Sequence, residues 1–123
     1  MIKNISTILI WSEDFRALAD WYQEMFDLEV INELDHPQDT GVLFQAGDIT
    51  FWIGQHSQVH GKNQDIHRHM FNFRVDSVHE AYEKLQAKGV TFLAKPFKAP
   101  TMEKYFATMY DLDDNLIQLV GER

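Results

Sequence analysis

Residues 69–89, HMFNFRVDSVHEAYEKLQAKG, decide the fold of this chain because a strand and a capped helix follow one another in them. HMFNFRV is a strand-like run. Ser77 and Glu80 then form the S-x-x-E capping box that begins a helix, and Gly89 suits the C-terminal end of that helix. The apolar stripe of the predicted helix comprises Val78, Ala81, Tyr82 and Leu85. The stretch therefore predicts a β-α unit.

The same order of elements occurs near the start of the chain. Residues 5–11, ISTILIW, are rich in β-forming residues and predict a strand. Ser12 is the expected helix N-cap, followed by acidic residues that are favourable at a helix N-terminus. The segment DFRALADWYQEMF has an apolar stripe at helical spacing, made of Phe15, Leu18, Tyr22, Met25 and Phe26.

Three strand-like segments follow each predicted helix. They are LEVINEL, GVLFQAG and ITFWIG in the first half, and VTFLAK, YFATMYD and LIQLVG in the second. The chain is therefore predicted to be one α+β domain, residues 1–123, of two tandem β-α-β-β-β half-domains. The half-repeats span about 1–56 and 67–123, with residues 57–66 as the linker.

Composition excludes several classes of function. The 11 basic and 19 acidic residues give a net charge of −8, which disfavours nucleic acid and anionic membrane surfaces. The chain has no cysteine, so disulfides and thiolate metal sites are excluded. No apolar run approaches the roughly 20 residues that span a bilayer, and no secretory signal is recognisable. We therefore expect a soluble, cytoplasmic protein without nucleic-acid or membrane partners.

The repeat and three motifs resemble the glyoxalase, bleomycin-resistance and extradiol-dioxygenase superfamily, also called the vicinal oxygen chelate fold. SEDFRALADWYQEMFDLEV is similar to its first helix pattern, and VDSVHEAYEKLQAKGV to its middle strand-helix element. DLDDNLIQLV is similar to the family's terminal D-P-D-G-N-x-(I/L)-E-(L/F) signature. The resemblance covers nearly the whole chain. It implies two half-domains whose sheets curl into an open cup that holds the functional site, and it implies a homodimer.

In metal-dependent members of this family, His or Glu side chains from both halves converge on one divalent ion. The resemblance places the corresponding positions at Thr7, Trp52, Met70 and Gln118. Divalent ions of the Mn, Fe, Ni or Zn type prefer imidazole and carboxylate ligands, and none of these four side chains supplies one. We therefore expect no metal and no other cofactor.

Four of the six histidines lie between residues 56 and 70, which raises the alternative of a metal site built from them. His56, His60 and His67 are expected in an exposed loop. His69 precedes the Met70 position, so strand alternation points it away from the cup, whereas a register slip of one residue would place it inside.

Alternation also predicts a ligand-binding wall. If Thr7 faces the cup, then so do the alternate residues of its strand and the corresponding residues of three other strands. The predicted pocket-lining residues are Thr7, Leu9, Trp11, Thr50, Trp52, Met70, Asn72, Arg74 and Gln118. Such a wall, apolar and aromatic with a few polar groups, is typical of a small-molecule pocket.

Each of these residues also has a structural interpretation. Trp11 and Trp52 can fill the core instead of stacking on a ligand. Arg74 can pair with a ligand carboxylate or phosphate, or form a salt bridge with Asp76. Asn72 can satisfy backbone groups.

The sequence gives little support for catalysis, because it lacks a nucleophile motif and a phosphate-binding glycine loop. The first functional hypothesis is metal-independent binding of a small, partly aromatic or amphipathic molecule, similar to drug-sequestering bleomycin-resistance proteins. The alternatives are a divergent metal-dependent lyase, isomerase or dioxygenase, and a degenerate domain that acts through protein contacts. The first hypothesis assigns no catalytic and no metal-binding residue.

Overall fold

The computed structural model describes residues 1–123, which divide into two compact units, Met1–Gly61 and Lys62–Arg123. Each unit contains one helix and one open four-stranded sheet in the order β-α-β-β-β, so the predicted α+β tandem repeat is confirmed. The first unit contains β1 (Thr7–Ser12), α1 (Phe15–Phe26), β2 (Glu29–His36), β3 (Asp39–Ala46) and β4 (Ile49–Gln55). The second contains β5 (Met70–Ser77), α2 (Val78–Ala87), β6 (Phe92–Lys98), β7 (Tyr105–Tyr110) and β8 (Leu116–Glu122).

The two sheets have the same topology. Sheet A, in the first unit, has the strand order β1-β4-β3-β2, and sheet B, in the second, has the order β5-β8-β7-β6. The first strand of each unit pairs in parallel with the last, and the remaining pairs are antiparallel. A parallel pair needs a long crossover connection, and in each unit that connection includes the helix.

The first helix begins two residues later than the sequence predicts. Its N-cap is Asp14, whose side chain accepts a hydrogen bond from the backbone N–H of Ala17 at 3.2 Å. The expected cap, Ser12, is instead the last residue of β1, where it pairs with Gln55. Ser12 accepts a hydrogen bond from the Asp14 N–H through its side chain. The prediction was wrong because the sheet keeps Ser12 in the strand.

The second helix has the caps that its sequence predicts. The Ser77 hydroxyl accepts a hydrogen bond from the Glu80 N–H at 3.2 Å, as an N-cap does. Gly89 follows the helix with φ of +93°, a conformation that costs little only for glycine. The local sequence therefore determined both ends of α2.

In each unit the apolar stripe of the helix is buried against one face of the sheet. The fully or almost fully buried residues of the first unit include Leu18, Tyr22, Phe44, Phe51 and Ile53, and those of the second include Val78, Leu85, Met109, Ile117 and Leu119. Burying one such side chain contributes about 1.5–3 kcal/mol, so these contacts dominate the stability of each unit. Neither helix is long and apolar enough to cross a membrane.

Candidate ligand-binding site

The helix identifies which face of sheet A is covered and which is open. The ring of Tyr22 on α1 lies 5.0 Å from the ring of Phe51 on β4, so Phe51 faces the helix. Successive side chains of a strand point to opposite faces. Thr50 and Trp52 therefore lie on the open face, the side of sheet A away from α1.

Strand register brings all five predicted pocket residues of the first unit onto this open face. Thr7 is paired with Thr50, and Leu9 with Trp52. Trp11 is paired with Gly54, and Gly54 in turn with Gly41 of β3. The face consequently has three rows across the sheet: Gln45–Thr50–Thr7, Leu43–Trp52–Leu9 and Gly41–Gly54–Trp11.

Trp52 lies over the two glycines of the third row. A Cβ added to Gly54 would fall 2.2 Å from Trp52 Nε1, and one added to Gly41 would fall 2.5 Å from Trp52 Cζ2. The indole therefore packs directly on the backbone of Gly41 and Gly54. A side chain at either position would occupy the space of the indole. Its Nε1–H is buried and has no hydrogen-bond partner.

Trp11 and His56 extend this aromatic surface. The ring centroids of Trp11 and Trp52 are 6.4 Å apart in an edge-to-face arrangement, and those of Trp11 and His56 are 5.4 Å apart. Trp52 is only 6% exposed, whereas Trp11 is 37% exposed and Leu9 53%. Trp52 is thus buried on Gly41 and Gly54, which together form its seat. Trp11 and Leu9 present apolar surface to solvent.

The first row supplies a polar group on the same face. The hydroxyls of Thr7 and Thr50 are hydrogen-bonded to each other at 2.7 Å, and either can be the donor. The Thr50 hydroxyl also lies 3.3 Å from the carbonyl oxygen of Ser6. The Thr7 side chain is therefore engaged in joining β1 to β4.

Sheet B has an open face of the same kind. Tyr82 on α2 lies 4.7 Å from Phe92 on β6, ring to ring, so the row of Phe92, Met109, Ile117 and Phe71 faces the helix. The predicted residues Met70, Asn72, Arg74 and Gln118 lie on the opposite face. Asn72 is paired with Gln118, and Gln118 with Thr108. Arg74 is paired with Val120, which is paired with Phe106.

Two contacts on this face bear on the alternatives raised by the sequence. Gln118 Nε2 lies 3.3 Å from Thr108 Oγ1, to which it donates a hydrogen bond. Arg74 is exposed and makes no ion pair, so the expected alternative of a salt bridge with Asp76 is not observed.

The donor set at the family's metal positions does not fit a divalent ion. In the first unit these positions hold Thr7, bonded to Thr50, and the indole of Trp52, which has no lone pair to donate. In the second unit they hold the Met70 thioether and the Gln118 amide, which is bonded to Thr108. No three His, Asp or Glu side chains of the chain lie close enough to hold a metal ion.

The loop histidines are exposed and engaged in local contacts. His56 Nδ1 accepts a hydrogen bond from the Gln58 N–H at 3.0 Å, and His60 Nδ1 lies 3.5 Å from Glu13 Oε1. His67 and His69 are also exposed, and His69 immediately precedes β5. The pKa of Glu13 is lowered, first by the Gly61 N–H that donates to Oε2 at 3.0 Å and then by His60.

Sequence reasoning missed several residues of these faces. Gly41 and Gly54, which seat Trp52, and Thr108, which holds Gln118, were not predicted. The signal present in the sequence was a glycine two residues after Trp52. That glycine indicates a place for the indole only once the strand pairing is known.

Two recesses of about 560 and 280 Å³ lie at the β2–β3 turn rather than on the predicted face. Their shared lining residues are Gln38 and Asp39.

Comparison with known proteins identifies relatives of the whole chain. The model of the Glyoxalase/Bleomycin resistance protein/Dioxygenase superfamily matches residues 4–119. No curated protein matches the sequence.

Solved structures share the fold over the full length. A fosfomycin resistance protein, FosX, from Listeria monocytogenes is 20% identical, covering 100% of this chain and 96% of its own, with a TM-score of 0.76. Lactoylglutathione lyase from Agrobacterium tumefaciens is 21% identical, covering 98% and 94%, with a TM-score of 0.73. A glyoxalase family protein from Enterococcus faecalis is 19% identical, covering 96% and 97%, with a TM-score of 0.79. One FosX structure contains Mn(II) and sulfate.

Proposed function

Because this chain belongs to the Glyoxalase/Bleomycin resistance protein/Dioxygenase superfamily, we propose that it binds a small, planar or amphipathic molecule without a resident metal ion. Binding itself is the proposed function, as in the bleomycin-resistance proteins that the family includes. The proposed binding surfaces are the open faces of the two sheets, which carry the nine residues that the sequence singled out.

The observation that carries this proposal is the seat of Trp52. Trp52 is buried on Gly41 and Gly54 and supports Trp11, which stands edge-on beside it with 37% of its surface exposed, so Trp11 is the ring that a ligand can reach. Planar ligands stack on such surfaces, and aromatic pairs gain about 0.5–1.5 kcal/mol beyond the burial of area.

The side chains at the family's metal positions support binding without a metal ion. FosX, which shares the fold, has been crystallised with Mn(II). The positions that the family resemblance assigns to metal ligands would in this chain bind through a hydroxyl, an indole, a thioether and an amide. Two of these four, Thr7 and Gln118, are already engaged in hydrogen bonds within their own sheets.

We further propose that the protein is a cytoplasmic homodimer. The homodimer is proposed from the membership of the chain in this superfamily. The absence of cysteine is compatible with a reducing compartment. Sedimentation of the purified protein tests the proposed dimer directly.

The first test is metal content. Untagged protein is incubated with Mn, Fe, Ni and Zn, desalted and subjected to elemental analysis. We expect less than about a tenth of an equivalent of each ion, because the donor set lacks imidazole and carboxylate ligands. Stoichiometric metal would overturn the metal-free proposal and favour the divergent metal enzyme.

The second test is a tryptophan-quenching screen with planar and amphipathic compounds. Trp21 lies on α1, where its ring contacts Tyr22 and Phe26, so Trp21→Phe removes its emission without altering the open face. Quenching should persist in Trp21→Phe and be lost in Trp11→Ala. If no compound quenches emission in Trp21→Phe, the binding proposal fails, and a role through protein contacts is favoured instead.

A further inference from the structure

Arg74 lies in a row of otherwise apolar residues on the open face of sheet B. Across the sheet from β5 to β6, the row contains Arg74, Val120, Phe106 and Phe97. The rings of Phe97 and Phe106 are stacked with their centroids 5.9 Å apart and their planes 28° apart. Phe97 is 41% exposed. One row therefore combines a cation with aromatic side chains, of which Phe97 is open to solvent.

Arg74 makes no ion pair, whereas several other cations of the second unit have acidic partners. Arg68 pairs with Asp65, and Lys98 pairs with Glu103. Lys104 pairs with Glu122. Arg74 makes no such contact although Asp76 is only two residues further along the strand. Its five N–H donors are thus available to an acceptor from outside the chain.

The adjacent row supplies polar groups that orient a ligand. It contains Asn72, Gln118 and Thr108, and the Gln118 amide is held by its hydrogen bond to Thr108. A side chain held in this way loses little further entropy when it bonds a ligand. The fork of Arg74 and the amides of Asn72 and Gln118 lie on the same face, in neighbouring rows.

We infer that the open face of sheet B recognises an organic anion, with Arg74 binding a carboxylate, sulfonate or phosphate group and Phe97 and Phe106 contacting a planar or apolar body. The inference rests on the proposed ligand-binding function and specifies the charge of the ligand. The guanidinium binds such groups through two parallel hydrogen bonds. The net charge of −8 repels anions, and Arg74 is a local cation that offsets this repulsion on the open face of sheet B.

The test compares two probes that share a body and differ in charge. 8-Anilinonaphthalene-1-sulfonate is the anion, and N-phenyl-1-naphthylamine is the same ring system without the sulfonate. Dissociation constants are measured from probe fluorescence for the wild-type protein, Arg74→Gln, Arg74→Lys and the control Arg68→Gln. Arg68 is exposed and paired with Asp65, so its removal makes the same change in net charge away from the row of phenylalanines.

We expect Arg74→Gln to weaken sulfonate binding by at least about tenfold, the effect of losing even one of the two charge-assisted hydrogen bonds, and to leave the neutral probe unchanged. Arg74→Lys should retain part of the affinity, and Arg68→Gln all of it. Added salt should weaken only the sulfonate.

The inference is overturned if Arg74→Gln leaves sulfonate affinity unchanged, if it weakens both probes equally, or if Arg68→Gln has the same effect. If the neutral probe binds the wild-type protein in such a case, the proposed function stands and only the inference fails. If neither probe binds the wild-type protein, the proposed function and the inference fail together.

Discussion

The indole of Trp52 occupies the space that a side chain at Gly54 would need, because a Cβ on Gly54 would lie 2.2 Å from Trp52 Nε1. The two residues are only two positions apart on β4, and both lie on the open face of sheet A. The indole of Trp52 therefore packs on the backbone of its own strand. It is 94% buried although no helix covers this face of the sheet.

Gly54→Ala should displace Trp52 from this seat. Overpacking of a well-packed site costs about 1–3 kcal/mol, so we expect a loss of unfolding free energy in this range. We also expect a red shift of tryptophan emission, because the indole becomes more exposed. Urea unfolding and fluorescence measure the two effects.

Gly121→Ala is the matched control for the glycine substitution. A Cβ there would lie 2.0 Å from the carbonyl oxygen of Val75, and no tryptophan is in contact. It should destabilise the protein without shifting emission. An unshifted spectrum in Gly54→Ala would contradict the described seat of Trp52.

The Thr7–Thr50 hydrogen bond should contribute to stability across the parallel pair β1–β4. Thr7→Val leaves the Thr50 hydroxyl without this partner and should cost about 0.5–1.5 kcal/mol. The double variant with Thr50→Val should lose less than the sum of the two single losses, because neither hydroxyl is then left unpaired. Additive losses in urea unfolding would show that the two hydroxyls do not interact, and Thr7→Ser should remain close to wild type.

The cap of α1 can be assigned to Asp14 by substitution. Asp14→Ala removes the acceptor for the Ala17 N–H and should cost about 0.5–2 kcal/mol, whereas Asp14→Asn should retain most of the stability. Ser77→Ala is the matched change at α2 and should cost a similar amount. Equal stability of Asp14→Ala and wild type in urea would contradict the assigned cap.

Glu13 should make stability depend on pH at the acidic end. The Gly61 N–H and His60 lower the pKa of Glu13 below its ordinary value of 4.5 in the folded protein. A carboxyl whose pKa is lowered on folding contributes stability above its unfolded pKa, and that contribution is lost as the pH falls through the folded pKa.

The variant that tests this is Glu13→Gln. It should be less stable than wild type at pH 7, and the difference should shrink as the pH falls below about 4.5. Glu29→Gln, on the exposed strand β2, is the control for loss of one negative charge. A difference between wild type and Glu13→Gln that stays constant from pH 7 to pH 3 would contradict the contacts of Glu13.

Periodicity in the sequence determined the elements and the faces of this protein. The two helical stripes, the capping box at Ser77 and the alternation of the strands depend on neighbouring residues, so they can be read locally. For the same reason the order β-α-β-β-β was predicted twice and is observed twice. The open faces of both sheets carry the nine residues that alternation selected.

The contacts between distant residues and the start of α1 depend on strand pairing, which only the tertiary structure decided. Thr7 meets Thr50 across 43 residues of sequence, and Gly54 pairs with Gly41, so neither the hydroxyl pair nor the seat of Trp52 has a local signal. The cap of α1 is at Asp14 rather than Ser12 because pairing with β4 extends β1 to Ser12. The sequence left open whether Arg74 pairs with Asp76 or with a ligand, and in the fold Arg74 makes no ion pair with Asp76. Such contacts depend on which strands align and in which register, a choice made by hydrogen bonds between distant segments of the chain.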